Sequence, residues 1–148
     1  MEELLELRTC IEQQRYADAL TLIAEMEEMS KEDKINKIES FAEVLLLHLI
    51  KQAAEKRITR SWNLSIANAI RHIRRTNKRR KSGGHYLEAD ELREIVREAW
   101  QPALERAALE AFEGRHDAGE LRQMVDQEAI EQKAFDLITA EDHTAFSN

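Results

Sequence analysis

From Ile35 to Ala53 the apolar residues Ile35, Ile38, Phe41, Ala42, Leu45, Leu46, Leu49 and Ala53 recur at helical spacing, on an arc too wide for a helix that shows a face to water. A chain holding such a segment must wrap other elements around it. The pattern predicts a long central helix over residues 31–56, opened by Ser30 and Asp33, which resemble a capping box. The remainder is rich in Leu, Ala, Glu, Arg and Lys and carries 4 Gly and 1 Pro in 148 residues, so few breakers interrupt helices there either. The expected fold is all-α, a compact single-domain bundle of about five to seven helices around the central one. It should span residues 1–142, with 143–148 a frayed tail.

An N-terminal helical hairpin is predicted over 1–29. Leu4, Leu7 and Ile11 of its first helix should face Ala19, Leu20, Ile23, Met26 and Met29 of its second, with Cys10 as a small apolar filler. A basic helix follows over 62–81, capped by Ser61 and stopped by Gly83 and Gly84. Trp62, Ile66, Ala69, Ile70 and Ile73 form its packing stripe, while Arg71, Arg74, Arg75 and Lys78 project from the other side. Acidic helices fill 88–139. One runs from Asp90 to about Phe112, kinked at Pro102, with Leu92, Ile95, Val96, Ala99, Leu104 and Leu109 buried. Two shorter ones, over 120–125 and 128–139, are anchored by Leu121, Met124, Ile130, Ala134, Leu137 and Ile138.

Several function classes drop out. A lone Cys10 builds no disulfide framework and points to a reducing, cytoplasmic setting. No signal peptide is expected, and the most apolar run, Val44 to Ile50, falls far short of the roughly 20 residues a membrane span needs, so no membrane partner is expected. There is no G-x-x-x-x-G-K-[ST], H-E-x-x-H, paired C-x-x-C or G-x-S-x-G, and no cofactor is expected. His116, Asp117 and Glu120 have the residue types for a metal, but a helix N-cap with first-turn acids explains Asp117 and Glu120 more simply, so no metal is expected.

Charge is the most informative feature once it is divided along the chain. Residues 56–81 hold ten Lys and Arg and no Asp or Glu, a local charge of +10 that leaves −17 on the remainder and −7 overall. Such a segment admits three readings: a site for the phosphate backbone of nucleic acid, a docking face for an acidic protein partner, and an internal counterweight to the acidic helices. The candidate binding residues are Arg57, Arg60, Trp62, Arg71, Arg74, Arg75, Lys78, Arg79, Arg80 and Lys81. Four successive cations, Lys78 to Lys81, cannot all find carboxylates on a packed neighbour, which favours an exposed end. The charge dipole also permits head-to-tail homo-oligomers.

His48-Leu49-Ile50-Lys51 at the close of the aliphatic run, Arg60-Ser61-Trp62, and Ser65-Ile66 at the head of the basic helix stand in a spacing that resembles a bacterial family, domain-of-unknown-function family twenty-nine. The acidic Glu25, Glu27 and Glu28 match as well, and the resemblance covers roughly residues 3–112. It implies a compact helical domain and no mechanism. The chain departs from it between Lys51 and Arg60, where many members carry an aromatic residue and a Gln-Pro step, and at the family's N-terminal aromatic positions.

If the start of the basic helix folds back on the central one, His48, Lys51, Arg60, Ser61 and Trp62 converge. Two readings stand. In the structural one Trp62 packs, Ser61 caps and Arg60 pairs with Glu55 or the upstream glutamates. In the catalytic one Lys51 and Arg60 hold a phosphate and His48, whose unperturbed pKa lies near neutrality, moves a proton, which would make a small metal-independent nuclease or phosphodiesterase. The leading expectation is a module that binds nucleic acid or an acidic partner through 56–81, with that enzyme and a regulatory, antitoxin-like or adaptor domain as alternatives.

Overall fold

The computed structural model describes residues 2–79 and 83–140. Among them the regular structure is helical: α1 (Glu2–Glu12), α2 (Tyr16–Glu55), α3 (Arg60–Asn77), α4 (Ala89–Glu110), α5 (Ala118–Met124) and α6 (Gln127–Thr139), with a single 3-10 turn at Ala111–Gly114. The all-α expectation holds. Arg80, Lys81 and the 143–148 tail lie outside the described residues. The chain divides into two compact units, 1–36 and 37–148, the boundary falling inside α2.

The predicted break at Ser30 does not occur, and the hairpin's second helix and the central helix are one. No Gly or Pro stands between Tyr16 and Glu55. Ser30 is exposed, so its hydroxyl is free to face water instead of capping, and its local preference for a cap is too small to interrupt 40 residues of otherwise good helix formers.

In the first unit α1 turns into α2 through Gln14, whose φ of 61° lets Arg15 donate its backbone N–H to the Cys10 carbonyl at 2.8 Å. Cys10 and Ala19 are buried. The rest of the expected stripe is not: Leu4 and Ile11, expected inside, are exposed, as are Leu20 and Met29. Helix α1 and the start of α2, a single antiparallel pair, cannot cover each other's whole apolar face. Cys10 is also not surrounded by apolar groups alone, because Arg15 Nη2 lies 3.3 Å from its sulfur.

In the second unit Ile38, Ala42, Leu45, Leu46, Leu47, Leu49 and Ile50 of α2 are buried nearly all round, as the wide arc requires. Its last turn is rotated from the expected register, with Ala54 buried and Ala53 exposed. Ile66, Ala69, Ile70 and Ile73 of α3, Leu92, Ile95, Val96, Ala99 and Leu104 of α4, Leu121 of α5, and Ile130, Ala134 and Ile138 of α6 complete the core. Helix α4 packs against α5 and α6, and α3 against α6. Two expectations fail at the edges: Leu109 is 78% exposed and Met124 is exposed, while Trp100 takes a buried place on α4. Helix α4 continues across Pro102, which is exposed.

Where α4 ends, Phe112, Glu113 and Gly114 follow one another with positive φ (51°, 58° and 76°). A Cβ on Gly114 would stand 3.2 Å from the Leu109 carbonyl oxygen, so glycine is required there both for backbone and for space. The turn passes directly into α5, whose cap is the one expected: Asp117 Oδ1 accepts from the Glu120 N–H at 2.8 Å and Glu120 Oε1 from the Asp117 N–H at 3.2 Å.

Candidate nucleic-acid interface

Packing separates the cations of the 56–81 segment into two groups, the first of them completed by Lys51 of α2. The first gathers at Trp62. Helix α3 starts at Arg60, and its cap is Thr59, not Ser61: the Thr59 hydroxyl accepts from the Trp62 N–H at 3.0 Å. That start sets the indole between two cations, Lys51 Nζ 4.9 Å from its ring centroid and the Arg57 guanidinium 4.7 Å. Lys51 is 8% exposed, and its ammonium donates to Glu110 Oε1 at 3.0 Å. Arg57 donates to Glu55 Oε1 at 3.0 Å, and the other Glu55 oxygen accepts from the Phe112 N–H at 3.4 Å. The strained Phe112–Gly114 turn is thus tied to the end of α2 by a carboxylate.

His48 lies one turn before Lys51 and is half-buried, with its Nδ1 enclosed and unpartnered among the described residues. Burial pushes its pKa below 6.5; Lys51 and Arg106 press it further down, and Glu110 works in the opposite sense. Burial and the two neighbouring cations therefore favour the neutral imidazole over the charged one. His48, Lys51 and Trp62 are brought together, whereas no hydrogen bond or ion pair among the described residues joins Arg60 to either His48 or Lys51. Glu110 and Trp62 already hold the Lys51 ammonium, so a phosphate at that point would have to displace a carboxylate.

The second group faces outward along α3. At about 100° per residue Arg60, Leu64, Arg71 and Arg75 fall within an arc of about 60°, over an axial run of about 22 Å. All four are exposed, Leu64 to 60%. Lys78 and Arg79, just past the end of α3, are exposed too. Among the described residues no ion pair involves Arg60, Arg71, Arg75, Lys78 or Arg79. Arg71 reaches only Asn68 Oδ1, at 3.1 Å, and Arg79 lies over the Tyr86 ring at 5.3 Å. Arg74 does not share this face: its Nε donates to the Ile138 carbonyl at 3.1 Å, in the last turn of α6, where a cation also meets the negative end of the helix.

Helix α3 was expected to run on to Lys81. It stops at Asn77, because the side chain of that buried residue holds Leu87 by both backbone groups: Oδ1 accepts from the Leu87 N–H at 2.7 Å and Nδ2 donates to its carbonyl at 3.0 Å. The Asn77 carbonyl accepts from Tyr86 N–H at 2.8 Å, Arg79 N–H donates to Gly84 at 3.1 Å, and Lys78 and His85 stand opposite one another in an antiparallel bridge. Lys78 and Arg79, the first two of the four-cation run, are therefore held by bridge contacts to Gly84 and His85 and do not extend the helix.

The family model for the domain of unknown function DUF29 matches residues 4–130. The chain belongs to that family. The DUF29 match takes in both cation groups and continues beyond the stretch legible from the residues, through α5 and into α6. No curated protein and no solved structure matches the chain. Lys51, one turn from His48 and stacked over Trp62, is held by Glu110, a residue with no local signal because it lies 59 positions from Lys51. Among the described residues no three His, Cys, Asp or Glu gather as a metal would require, and no helix is long and apolar enough to cross a membrane.

Proposed function

We propose that this DUF29 chain is a helical module that binds nucleic acid through the outward cationic face of α3. One observation carries the reading: Arg60, Arg71, Arg75, Lys78 and Arg79 are exposed and have no carboxylate partner among the described residues, although acids outnumber bases elsewhere. An internal counterweight would show those cations paired. Desolvated phosphates would satisfy them, and the −17 on the remaining sequence would turn this face toward a polyanion. A reducing cytoplasm, where Cys10 remains a thiol, suits such a module.

The test is fluorescence anisotropy with labelled single-stranded and duplex oligonucleotides across a salt series. If all five cations meet phosphates, log K should fall against log salt with a slope of about −3.5 for single strands or −4.5 for duplex. Changing Arg60, Arg71, Arg75 and Lys78 together to Gln should flatten the slope to about −1. Absence of binding at low salt refutes the reading, and binding of polyglutamate in place of nucleic acid assigns the face to an acidic protein.

A further inference from the structure

Where the cationic face of α3 ends, a cavity of about 610 Å³ opens between the last turn of α3, residues 85–88, the start of α4 and the end of α6. That volume is in the range that encloses a small organic group. Its floor is apolar: Ile73, Leu87, Leu92 and Ile138 are each at most 6% exposed and contribute side chains with nothing to hydrogen-bond. Its rim carries a cation, an imidazole and the exposed carboxylate of Glu88. Lys78 and His85, opposed across the antiparallel bridge, both line it and both are exposed. The walls are fixed without a ligand, since the Asn77 amide holds Leu87 at both backbone groups and Arg74 is bonded to the Ile138 carbonyl.

Lys78 belongs to two features at once. It continues the outward row of α3 and stands at the cavity mouth, so a phosphate held by Lys78 brings whatever is attached to that phosphate over an apolar floor. A flat heteroaromatic ring suits the opening: its faces bury against the aliphatic floor, its polar edge stays at the rim, and the His85 imidazole offers a stacking surface. We propose that this cavity receives one unstacked base of a single-stranded nucleic acid whose backbone follows α3. The inference rests on the nucleic-acid reading above and narrows it to single strands, because the bases of a duplex are stacked and paired and none is available for insertion.

The experiment compares four probes on the full chain by anisotropy: labelled oligothymidylate, an abasic oligomer of equal length and charge, the corresponding duplex, and polyglutamate as competitor. One inserted base should make oligothymidylate bind roughly 5- to 150-fold more tightly than the abasic oligomer. Ile138→Trp, which fills the cavity, should remove that advantage and leave both the abasic affinity and the salt slope unchanged. His85→Ala, a change at an exposed position that does not endanger folding, should reduce the advantage in the same direction. Equal binding of oligothymidylate and the abasic oligomer, or preference for duplex, overturns the inference while the cationic-face reading stands. Failure of every nucleic-acid probe at low salt overturns both, and displacement of oligothymidylate by polyglutamate with no loss in the cavity variants assigns the face to acidic protein.

Discussion

Lys51 and Glu110 form an unequal pair, and the inequality predicts opposite outcomes for removing one or the other. At 3.0 Å and an effective dielectric of about 20 their attraction is about 5 kcal/mol before any desolvation cost. The Lys51 side chain is 10% exposed and that of Glu110 43%, so most of the desolvation falls on the ammonium. Glu110→Ala leaves that buried charge with only the Trp62 face and whatever water enters beside it, and should destabilise by about 1–3 kcal/mol, below the figure for a wholly buried pair. Lys51→Met keeps the aliphatic stem, removes the charge and frees Glu110 to turn to water, so it should stay within about 1 kcal/mol of wild type.

Urea midpoints read the difference. With a slope of roughly 2 kcal/mol per molar, Glu110→Ala should lower the midpoint by roughly 0.5–1.5 M and Lys51→Met by less. His48 gives a second readout, free of global stability. Removing Lys51 takes away a charge that lowers the His48 pKa, so its NMR titration midpoint should rise; removing Glu110 takes away the group that raises it, so the midpoint should fall. A Lys51→Met protein less stable than Glu110→Ala, or His48 midpoints that move the other way, would refute the account of this cluster.

Because burial holds the folded His48 pKa below 6.5, the unfolded chain binds more protons as pH falls through that region; the stability His48 permits is therefore full above 6.5 and is lost as pH drops through the folded pKa. Thermal melts of wild type and His48→Leu should accordingly diverge on acidification, wild type losing more. Asn77→Ala orphans both backbone groups of buried Leu87 and should cost about 2–4 kcal/mol, with hydrogen exchange at the Leu87 and Tyr86 amides accelerated more than elsewhere; uniform acceleration would argue against a local anchor. Gly114→Ala meets both a positive φ and the Leu109 carbonyl, and a melt should show Tm lowered by roughly 3–8 °C, an unchanged Tm counting against the strained turn.

What could be read in advance follows from how local each signal is. The arc of α2 from Ile38 to Leu49, the Ile66–Ile73 stripe of α3 and the Asp117–Glu120 cap are periodic or near-neighbour patterns and stand where the spacing put them, whereas the last turn of α2 is rotated to bury Ala54 in place of Ala53. The capping box at Ser30 is equally local, yet a helix already running on both sides outcompetes it, since a cap is a signal only where something else ends the helix. Thr59 and Ser61 offer two hydroxyls two positions apart, and periodicity does not choose between them; the choice comes from seating Trp62 against Lys51 and Arg57. Lys51 shows the limit most plainly. It stands between Leu47, Ile50 and Ala54, all buried, so the pattern marks its position as interior, but its charge argues for the surface until Glu110 arrives from 59 residues away.

The same distinction decides which cations can serve a ligand. By sequence the ten Lys and Arg of 56–81 carry the same charge, and the contacts each one makes sort them. Arg57 is held by its neighbours Glu55 and Trp62, whereas Arg74 is held by the end of α6, 64 residues away. Those left outward are spaced by the helix repeat at 60, 71 and 75, then by the bridge at 78 and 79. Folding thus sets Arg60, Arg71, Arg75, Lys78 and Arg79 in a row whose Lys78 lines the cavity. A charge count alone predicts affinity for any polyanion, whereas the proposed base-receiving cavity beside that row predicts a preference for a strand with free bases, which is the discrimination the abasic oligomer measures.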